Sequence, residues 1–305
     1  MSIVVFGSIN MDLVVRTPRL PARGETITGY TFQTFPGGKG ANQAVACAQL
    51  GAEIFMVGRV GGDVFGSTLK AKLEAAGVDH TNVEVDTQVS SGVALIAVEE
   101  SAENIIIVVP GANGQVSEKD LPRLERALEK SKILLLQLEI PLEMVVAAAK
   151  IAKEKGVKVI LDPAPAQALP EEIYGLIDII TPNETEAALL VGFPVENKDD
   201  ASRAVKVLEE RGVGQSIIKM GSKGAFANIE GKETFFKAFP VTAVDTVAAG
   251  DAFNGALAVA LSEEKPIQEA IRWGMAGGAL SVTKEGAQPA MPERYDLLAI
   301  LEKNL

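Results

Sequence analysis

Short runs of β-branched and aliphatic residues alternate with longer amphipathic stretches along most of this chain, and that alternation limits its fold more than any other feature. SIVVFG, IFMVGRV, KILLLQL, VKVILD, IDIITP and SIIKMG read as strands. ANQAVACAQLG, STLKAKLEAAG, LEMVVAAAKIAKEKG and ASRAVKVLEERG read as helices that stop at Gly51, Gly77, Gly156 and Gly212, since glycine suits a helix C-terminus. Strands that are apolar almost throughout must be covered on both faces. The pattern therefore predicts an α/β fold with a central, mostly parallel sheet flanked by helices. Two segments depart from it. Residues 12–35 are β-prone, interrupted by Pro and Gly, and lack a helix. Residues 92–109, GVALIAVEESAENIIIVV, read as a hairpin turning at EESAEN. They are expected to meet as a small β-sheet lid on a single domain covering residues 1–305.

Composition narrows the function classes. The chain has 305 residues, 47% of them hydrophobic, which suits a globular protein with a sizeable core. A net charge of −11 argues against nucleic acid or an anionic membrane surface as partner. Polyphosphate remains open to an acidic protein whose backbone amides and a bound cation supply a local positive field. Cys47 is the one cysteine, which excludes an intrachain disulfide and a cysteine-based metal site; within VACAQLG it reads as a packed helical thiol. His80 is the one histidine, so the commonest general base is nearly absent. MSIVVFGSIN shows no signal peptide, and the apolar runs are too short to span a bilayer, so a cytoplasmic setting is expected.

In an open α/β sheet, ligands bind beyond the carboxyl ends of the strands. The polar residues placed there are Asn10, Asp12, Glu139, Asp162, Asn183, Asp245 and Asp251. Asn10 and Asp12, two apart in an extended segment, share one side; they suit a neutral polyol or, equally, cap a turn. GGKGANQA at 37–44 fits neither GxxxxGK[ST] nor GxGxxG. Its glycines either admit a ligand to the backbone, with Lys39 and Asn42 as donors, or form an ordinary turn. Asn183 and Glu186 fit an N-cap with a first-turn acid, or a pair holding a hydrated magnesium ion. KMGSKGA at 219–225 is a strand, a glycine turn and a return strand, with or without room for a nucleotide. FANIEGKETFFKAF reads as a further hairpin.

DTVAAGD at 245–251 carries the most chemistry. A helix N-terminus presents unpaired N–H groups, and Ala248, Ala249 and Gly250 leave them open to a phosphate. Asp251 beside them can accept a proton from an attacking hydroxyl, and the helix end is expected to favour its ionised form. The competing reading is a first-turn Asp stabilised by the helix dipole alone.

Taken together, GGKGANQAVACAQLGAEIFMVGRVG and DTVAAGDAFNGA, with GSINMD, GVALI, DPAPA, DIITPNETEA and KEGAQP, resemble the ribokinase family of carbohydrate kinases over essentially the whole chain. The resemblance implies a ribokinase-like fold and ATP-dependent phosphorylation of the ribose 5-hydroxyl. It places Asn10, Met11, Asp12, Gly38, Lys39, Gly40, Ala41, Asn42 and Glu139 around the sugar. Asp251 matches the catalytic base, and the amides of Ala248, Ala249 and Gly250 match the anion hole. Asn183, Lys219, Met220, Gly221, Ser222, Lys223, Gly224 and Met275 match the ATP site, with Glu186 linked to Mg2+. An activating K+ is implied at Asp245, Val247, Ser281, Lys284, Gly286 and Ala290, and a homodimer through the lid. Two positions depart from the family pattern: Ala290 stands where a hydroxyl ligand is often found, and Met275 where a histidine can contact the nucleotide. A kinase for another sugar or nucleoside, and a sugar- or nucleotide-binding protein without turnover, are the alternatives. The intact Asp251 speaks against the second of these. A nicotinamide dehydrogenase would need the GxGxxG that is missing after the first strand.

Overall fold

The computed structural model describes residues 2–101 and 104–303. Its strands, in chain order, begin with β1 (Ser2–Phe6), β2 (Asn10–Thr17), β3 (Thr31–Gly37), β4 (Glu53–Gly61), β5 (Asp79–Asp86), β6 (Gly92–Glu99) and β7 (Asn104–Val109). They continue with β8 (Ser131–Leu136), β9 (Lys158–Leu161), β10 (Ile179–Ile180), β11 (Gln215–Lys219), β12 (Gly224–Ile229) and β13 (Lys232–Lys237). The larger sheet has the order β13-β12-β11-β10-β9-β8-β1-β4-β5. From β5 to β11 every pairing is parallel, and β12 and β13 close one edge as an antiparallel hairpin. The chain starts at β1, runs outward through β4 and β5, then returns to β8 on the other side of β1. That reversal leaves a crevice between β1 and β8 at their carboxyl ends, where ligands of such sheets bind.

The helices divide by face. Helices α1 (Lys39–Gln49) and α2 (Val64–Ala75) cover one side. The other side carries α3 (Leu121–Leu128), α4 (Leu142–Glu154), α5 (Glu171–Tyr174), α6 (Glu184–Val191) and α7 (Lys198–Glu210). Helices α8 (Ala249–Ser262), α9 (Ile267–Ser281) and α10 (Arg294–Glu302) return to the first side. Strand β1 shows why its sequence lacks an apolar–polar alternation. Ile3 and Val5 enter one core while Val4 and Phe6 enter the other, and all four are wholly buried.

The expected strands and helices are present. Gly51, Gly77, Gly156 and Gly212 all have positive φ just beyond α1, α2, α4 and α7, as the helix-stop reading requires. IDIITP contributes only the two residues of β10, although Thr181 N still donates to Leu161 O and Asn183 bridges Lys219 in the parallel sense. Strand β5 was not evident in the sequence. DHTNVEVD lies at the exposed edge of the sheet with one well-buried residue, Val83, so it carries little hydrophobic pattern.

The two exceptional segments pair with each other. They form a separate sheet of order β3-β2-β6-β7, in which β2 and β6 run parallel and the outer pairs antiparallel. The expected turn at EESAEN includes Ala102 and Glu103, which lie outside the described residues. Among the described residues no helix is long and apolar enough to cross a membrane.

Candidate active site

The local fold around GGKG gives its glycines a packing role. A Cβ on Gly40 would lie 2.7 Å from the backbone at Gly7 and Ser8, and one on Gly38 would lie 2.7 Å from Asn10 N. The start of α1 therefore rests directly on the β1–β2 connection, and the glycines make room for the chain itself. Gly37 has a second role, since its missing side chain is the space occupied by the Asp12 carboxylate. Glu139, after β8, fastens the same junction. Its Oε2 accepts from Ser8 Oγ and from the Lys39 amide, the latter at 3.1 Å.

This packing gathers Asn10, Asp12, Lys39 and Glu139. Asn10 and Asp12 share a face of β2. Asn10 Oδ1 accepts from Asn113 Nδ2 at 2.7 Å, and Asn113 also bonds both backbone groups of Ile9. Burial, then repulsion from Glu139 and Asp251, pushes the Asp12 pKa from 3.8 up to about 7. Lys39 is half-buried. Burial works against its charge, but Asp251, Asp162, Glu139 and Glu186 outweigh it and hold the ammonium protonated. Met11 packs into the core, as do Gly40 and Ala41, so in this stretch they shape the pocket from behind.

Asp251 sits where α8 begins. Ala248 caps that helix in the left-handed region at φ 59, a strained choice for a non-glycine residue. The N–H groups of Ala248, Gly250 and Asp251 have no acceptor among the described residues, while that of Ala249 leans toward Thr246 O at 3.4 Å. Lys219 Nζ stands beside them: a Cβ on Gly250 would be 3.3 Å from it. Asn42 Nδ2 donates to Asp251 Oδ2 at 3.0 Å, and Gln43 Nε2 donates to Oδ1 at 3.1 Å. The protonation of Asp251 reflects its buried surroundings as well as its place in the first turn of α8. Burial dominates and pushes its pKa up to about 6, with Lys39 and the two amides opposing and Asp162 reinforcing. The group remains mostly ionised at neutral pH, in the range where a carboxylate serves best as a general base.

A cleft of about 830 Å³ opens on the other side of Lys39 and Asp251. Asn183, Glu186, Lys219, Gly221, Ser222 and Gly224 line one wall, Ala248 to Asp251 the floor, and Phe239, Val241, Phe253, Met275 and Val282 an apolar end. Met275 thus contributes apolar surface there. Asn183 and Glu186 form a reciprocal capping box on α6, as the N-cap reading expects, and both also line the cleft. Burial, partly offset by Lys219, raises the Glu186 pKa. The side chains of Met220 and Lys223 lie elsewhere. Met220 is in the core, and Lys223 pairs with Glu184 at 2.9 Å on the surface. Lys39 and Asp251 lie between the group around Asn10 and Asp12 and the cleft.

Sequence reasoning noted Asp162 without giving it a role, and missed two further residues. Asp162, after β9, lies in the cleft and pairs with Lys219 at 2.9 Å. Gln43 shares a helix face with Lys39, and that i, i+4 spacing could have flagged it. Asn113, in a short 3-10 turn, left no signal. His80 sits on edge strand β5 near Glu74 and contributes nothing here. Cys47 is buried against Gly255 O and its thiol pKa is pushed up by burial, in keeping with a packing role.

Around the implied potassium site, Asp245 ties two loops together. Its Oδ1 accepts from Val247 N and its Oδ2 from Gly286 N, each at 3.0 Å. Ser281 O accepts from Lys284 N, Lys284 itself is exposed, and Ala290 is buried with no oxygen in its side chain. Among the described residues, no group of three or more His, Cys, Asp or Glu side chains forms a ready metal cage.

Comparison with known proteins agrees with this geometry. The pfkB family of carbohydrate kinases matches residues 1–294. The chain belongs to the pfkB family of carbohydrate kinases. This carbohydrate kinase is 46% identical over 301 residues to a ribokinase of Haemophilus influenzae, covering 99% of this chain and 98% of that one. It is 39% identical over 293 residues to a deoxyribokinase of Salmonella typhi, covering 96% of each. Among solved structures it is similar to the ribokinase of Arabidopsis thaliana complexed with ribose and ATP, with a TM-score of 0.91, 38% identity and 98% of each chain covered. The ribokinase-like fold is therefore that of this kinase.

The raised pKa of Asp12 yields a test of the pocket. Its proton is bound more tightly in the folded chain than the usual 3.8 allows, so this contribution to stability is full below about pH 4 and is lost as pH rises through about 7. Asp12→Asn should therefore melt a few degrees above the parent at pH 8, with the gain shrinking toward pH 5, while the sugar KM rises at least about tenfold. Thermal melts at the two pH values, with sugar-dependent rates, measure both effects.

Proposed function

We propose that the chain phosphorylates D-ribose at its 5-hydroxyl with ATP, giving ribose 5-phosphate and ADP. One observation carries this reading: a buried carboxylate, Asp251, stands at a helix N-terminus whose amides lack partners, with one side toward Asn10, Asp12 and Lys39 and the other toward a nucleotide-sized cleft. Asp251 takes the hydroxyl proton as that oxygen attacks the γ-phosphorus, and the phosphorus–oxygen bond to ADP breaks. Charge on the transferred group faces the open amides of Ala248, Gly250 and Asp251, with Lys219 alongside. Asn10, Asp12, Asn42 and Glu139 hold the sugar hydroxyls, and Lys39 balances the surrounding carboxylates. The apolar end of the cleft receives the base, Met275 included, while Gly221, Ser222 and Gly224 border the phosphates. The Oδ1 of buried Asn42 has no partner among the described residues, a cost that a bound hydroxyl would relieve.

Magnesium fits this site as a hydrated ion held mostly by ATP, with Glu186 and Asn183 nearby, since it keeps most of its waters. It would screen the β- and γ-phosphate charge. Potassium fits the loops joined by Asp245, with carbonyls of Val247, Ser281, Lys284 and Gly286 as ligands and water in place of a hydroxyl at Ala290. We read the four-stranded sheet as a lid on a single cytoplasmic domain. Its outer strand β7 leaves Ile105, Ile106, Ile107, Val108 and Val109 all more than two-fifths exposed, and at the opposite edge Tyr30 and Phe32 are exposed as well. An apolar edge of this size is covered by a second copy of the chain.

The identity of a relative as a deoxyribokinase makes 2-deoxyribose the chief competitor. A coupled assay across ribose, 2-deoxyribose, fructose and adenosine tests the substrate; ribose is expected to give the highest kcat/KM. Asp251→Asn should lower turnover by about 10²–10⁴-fold while ribose affinity stays within a few-fold. Turnover within ~3-fold of the parent would sink the assignment of the base.

Exchanging potassium for sodium at constant ionic strength should lower turnover, and Asp245→Ala should lose most of that response. A flat response would mean that Ala290 marks a lost site. Sedimentation at micromolar concentration should give a dimer, and a charged residue at Ile106 should shift it to monomer; a monomeric parent removes the lid interface from the reading.

A further inference from the structure

Gln43 is wholly buried and fully occupied. Both hydrogens of its amide are used, one to Asp251 Oδ1 and one to Asp162 Oδ2, each at 3.1 Å. Its oxygen accepts from Gln137 Nε2 at 2.7 Å, which fixes the amide's orientation; reversed, that oxygen would face two carboxylates. Gln137 is also wholly buried, and its own oxygen occupies the space that a side chain on Gly7 would fill, 2.0 Å from that Cβ position. The Gln137 oxygen has no partner among the described residues, so this side chain gives up an acceptor in order to present its donor. Asn42, one residue earlier, differs: its buried oxygen has no partner among the described residues. Gln43 has nothing left to offer a ligand.

We propose that Gln43, oriented by Gln137, is a positioning residue for phosphoryl transfer: it pins Oδ1 of Asp251 and separates that carboxylate from Asp162. The proposal rests on Asp251 being the base. A carboxylate held only by Asn42 can rotate about its χ2 bond, and a base must lie within hydrogen-bond reach of the proton it takes. Asp162 gains in the same way. It stays directed at Lys219, whose ammonium lies over the amides of α8. One neutral amide thus joins the base to the cation on the phosphate side.

The charged groups facing Asp251 are Lys39 from α1, Asp162 from the segment after β9 and Asp12 from β2. Lys219 reaches it through Asp162. Without the Gln43 donor the ionised form loses a hydrogen bond and meets Asp162 across a shorter, drier gap. The acid limb of the rate profile should therefore move to higher pH.

Gln43→Met keeps the length of the side chain and removes its polar atoms. It should lower kcat by about 10- to 100-fold, leave the ribose KM within ~3-fold, and raise the apparent pKa of the acid limb. Gln137→Met leaves every contact of Asp251 in place and should give the same changes, smaller in size. A folded Gln43→Met enzyme with kcat within ~2-fold and an unmoved acid limb overturns the proposal. So does a loss of kcat accompanied by a lower Tm and an unmoved limb, because a merely structural residue would behave that way. If Gln43→Met does not fold, Gln137→Met decides: a shifted limb supports the role and an unmoved one removes it. Asp251→Asn separates the two readings. Its collapse beside an unaffected Gln43→Met overturns this inference alone, whereas retained turnover in Asp251→Asn overturns both.

Discussion

Asp251 reaches the amides of Asn42 and Gln43 because helices α1 and α8 cross almost backbone to backbone. A Cβ on Gly255 would sit 2.5 Å from Ala46 Cβ and 3.3 Å from both Cys47 N and Gln43 O. Larger residues at this crossing would push the helices apart by an ångström or more, and the hydrogen bonds to Asp251 would be lost. Ala41, Ala44 and Ala46 on α1 and Ala252, Ala256 and Ala260 on α8 are all wholly buried, so small side chains run along the contact. Residues that look like filler in the sequence set the distance on which the chemistry depends.

That closeness has an electrostatic cost. Asp12, Glu139, Asp162 and Asp251 converge, with Lys39 and Lys219 among the described residues to balance them. Burial and mutual repulsion raise the Asp12 and Asp251 pKa values, so the folded chain holds these groups in a form less stable than they have in water. Polar sugar hydroxyls, which donate to carboxylates, relieve that repulsion. A site strained in this way favours a neutral polyol over a sugar acid, whose extra negative charge would add to the repulsion. Stability is given up where binding recovers it.

The connection between the two helices and the sheet comes from the switch in strand order. Strand β1 lies between β4 and β8, and the loops that leave its carboxyl end and those of β8 and β9 diverge to opposite sides. Ser8, Glu139 and Asp162 are delivered into that crevice from three different strands. Glu139 then closes the arrangement by accepting the Lys39 amide, tying the start of α1 to β8. The small sheet grows from the same junction, since Asn10 opens β2 and pairs with Gly37 and Gly92 at the bases of β3 and β6.

Local pattern alone determined much of this. Continuous apolar strands, glycine-stopped helices and the two motif stretches fixed the class of fold, the placement of Asn10, Asp12 and Lys39, and the helix start at Asp251, because each depends on neighbours a few residues away. The tertiary structure decided the rest. The glycines of GGKG proved to make room for the chain crossing, and burial proved to raise the Asp251 pKa, because both effects come from atoms distant in sequence. Strand β5 escaped notice since an edge strand needs little hydrophobic pattern. Gln43, Gln137 and Asn113 act through partners more than ninety positions away, and a hydrogen bond at that separation leaves no periodicity for a sequence to show.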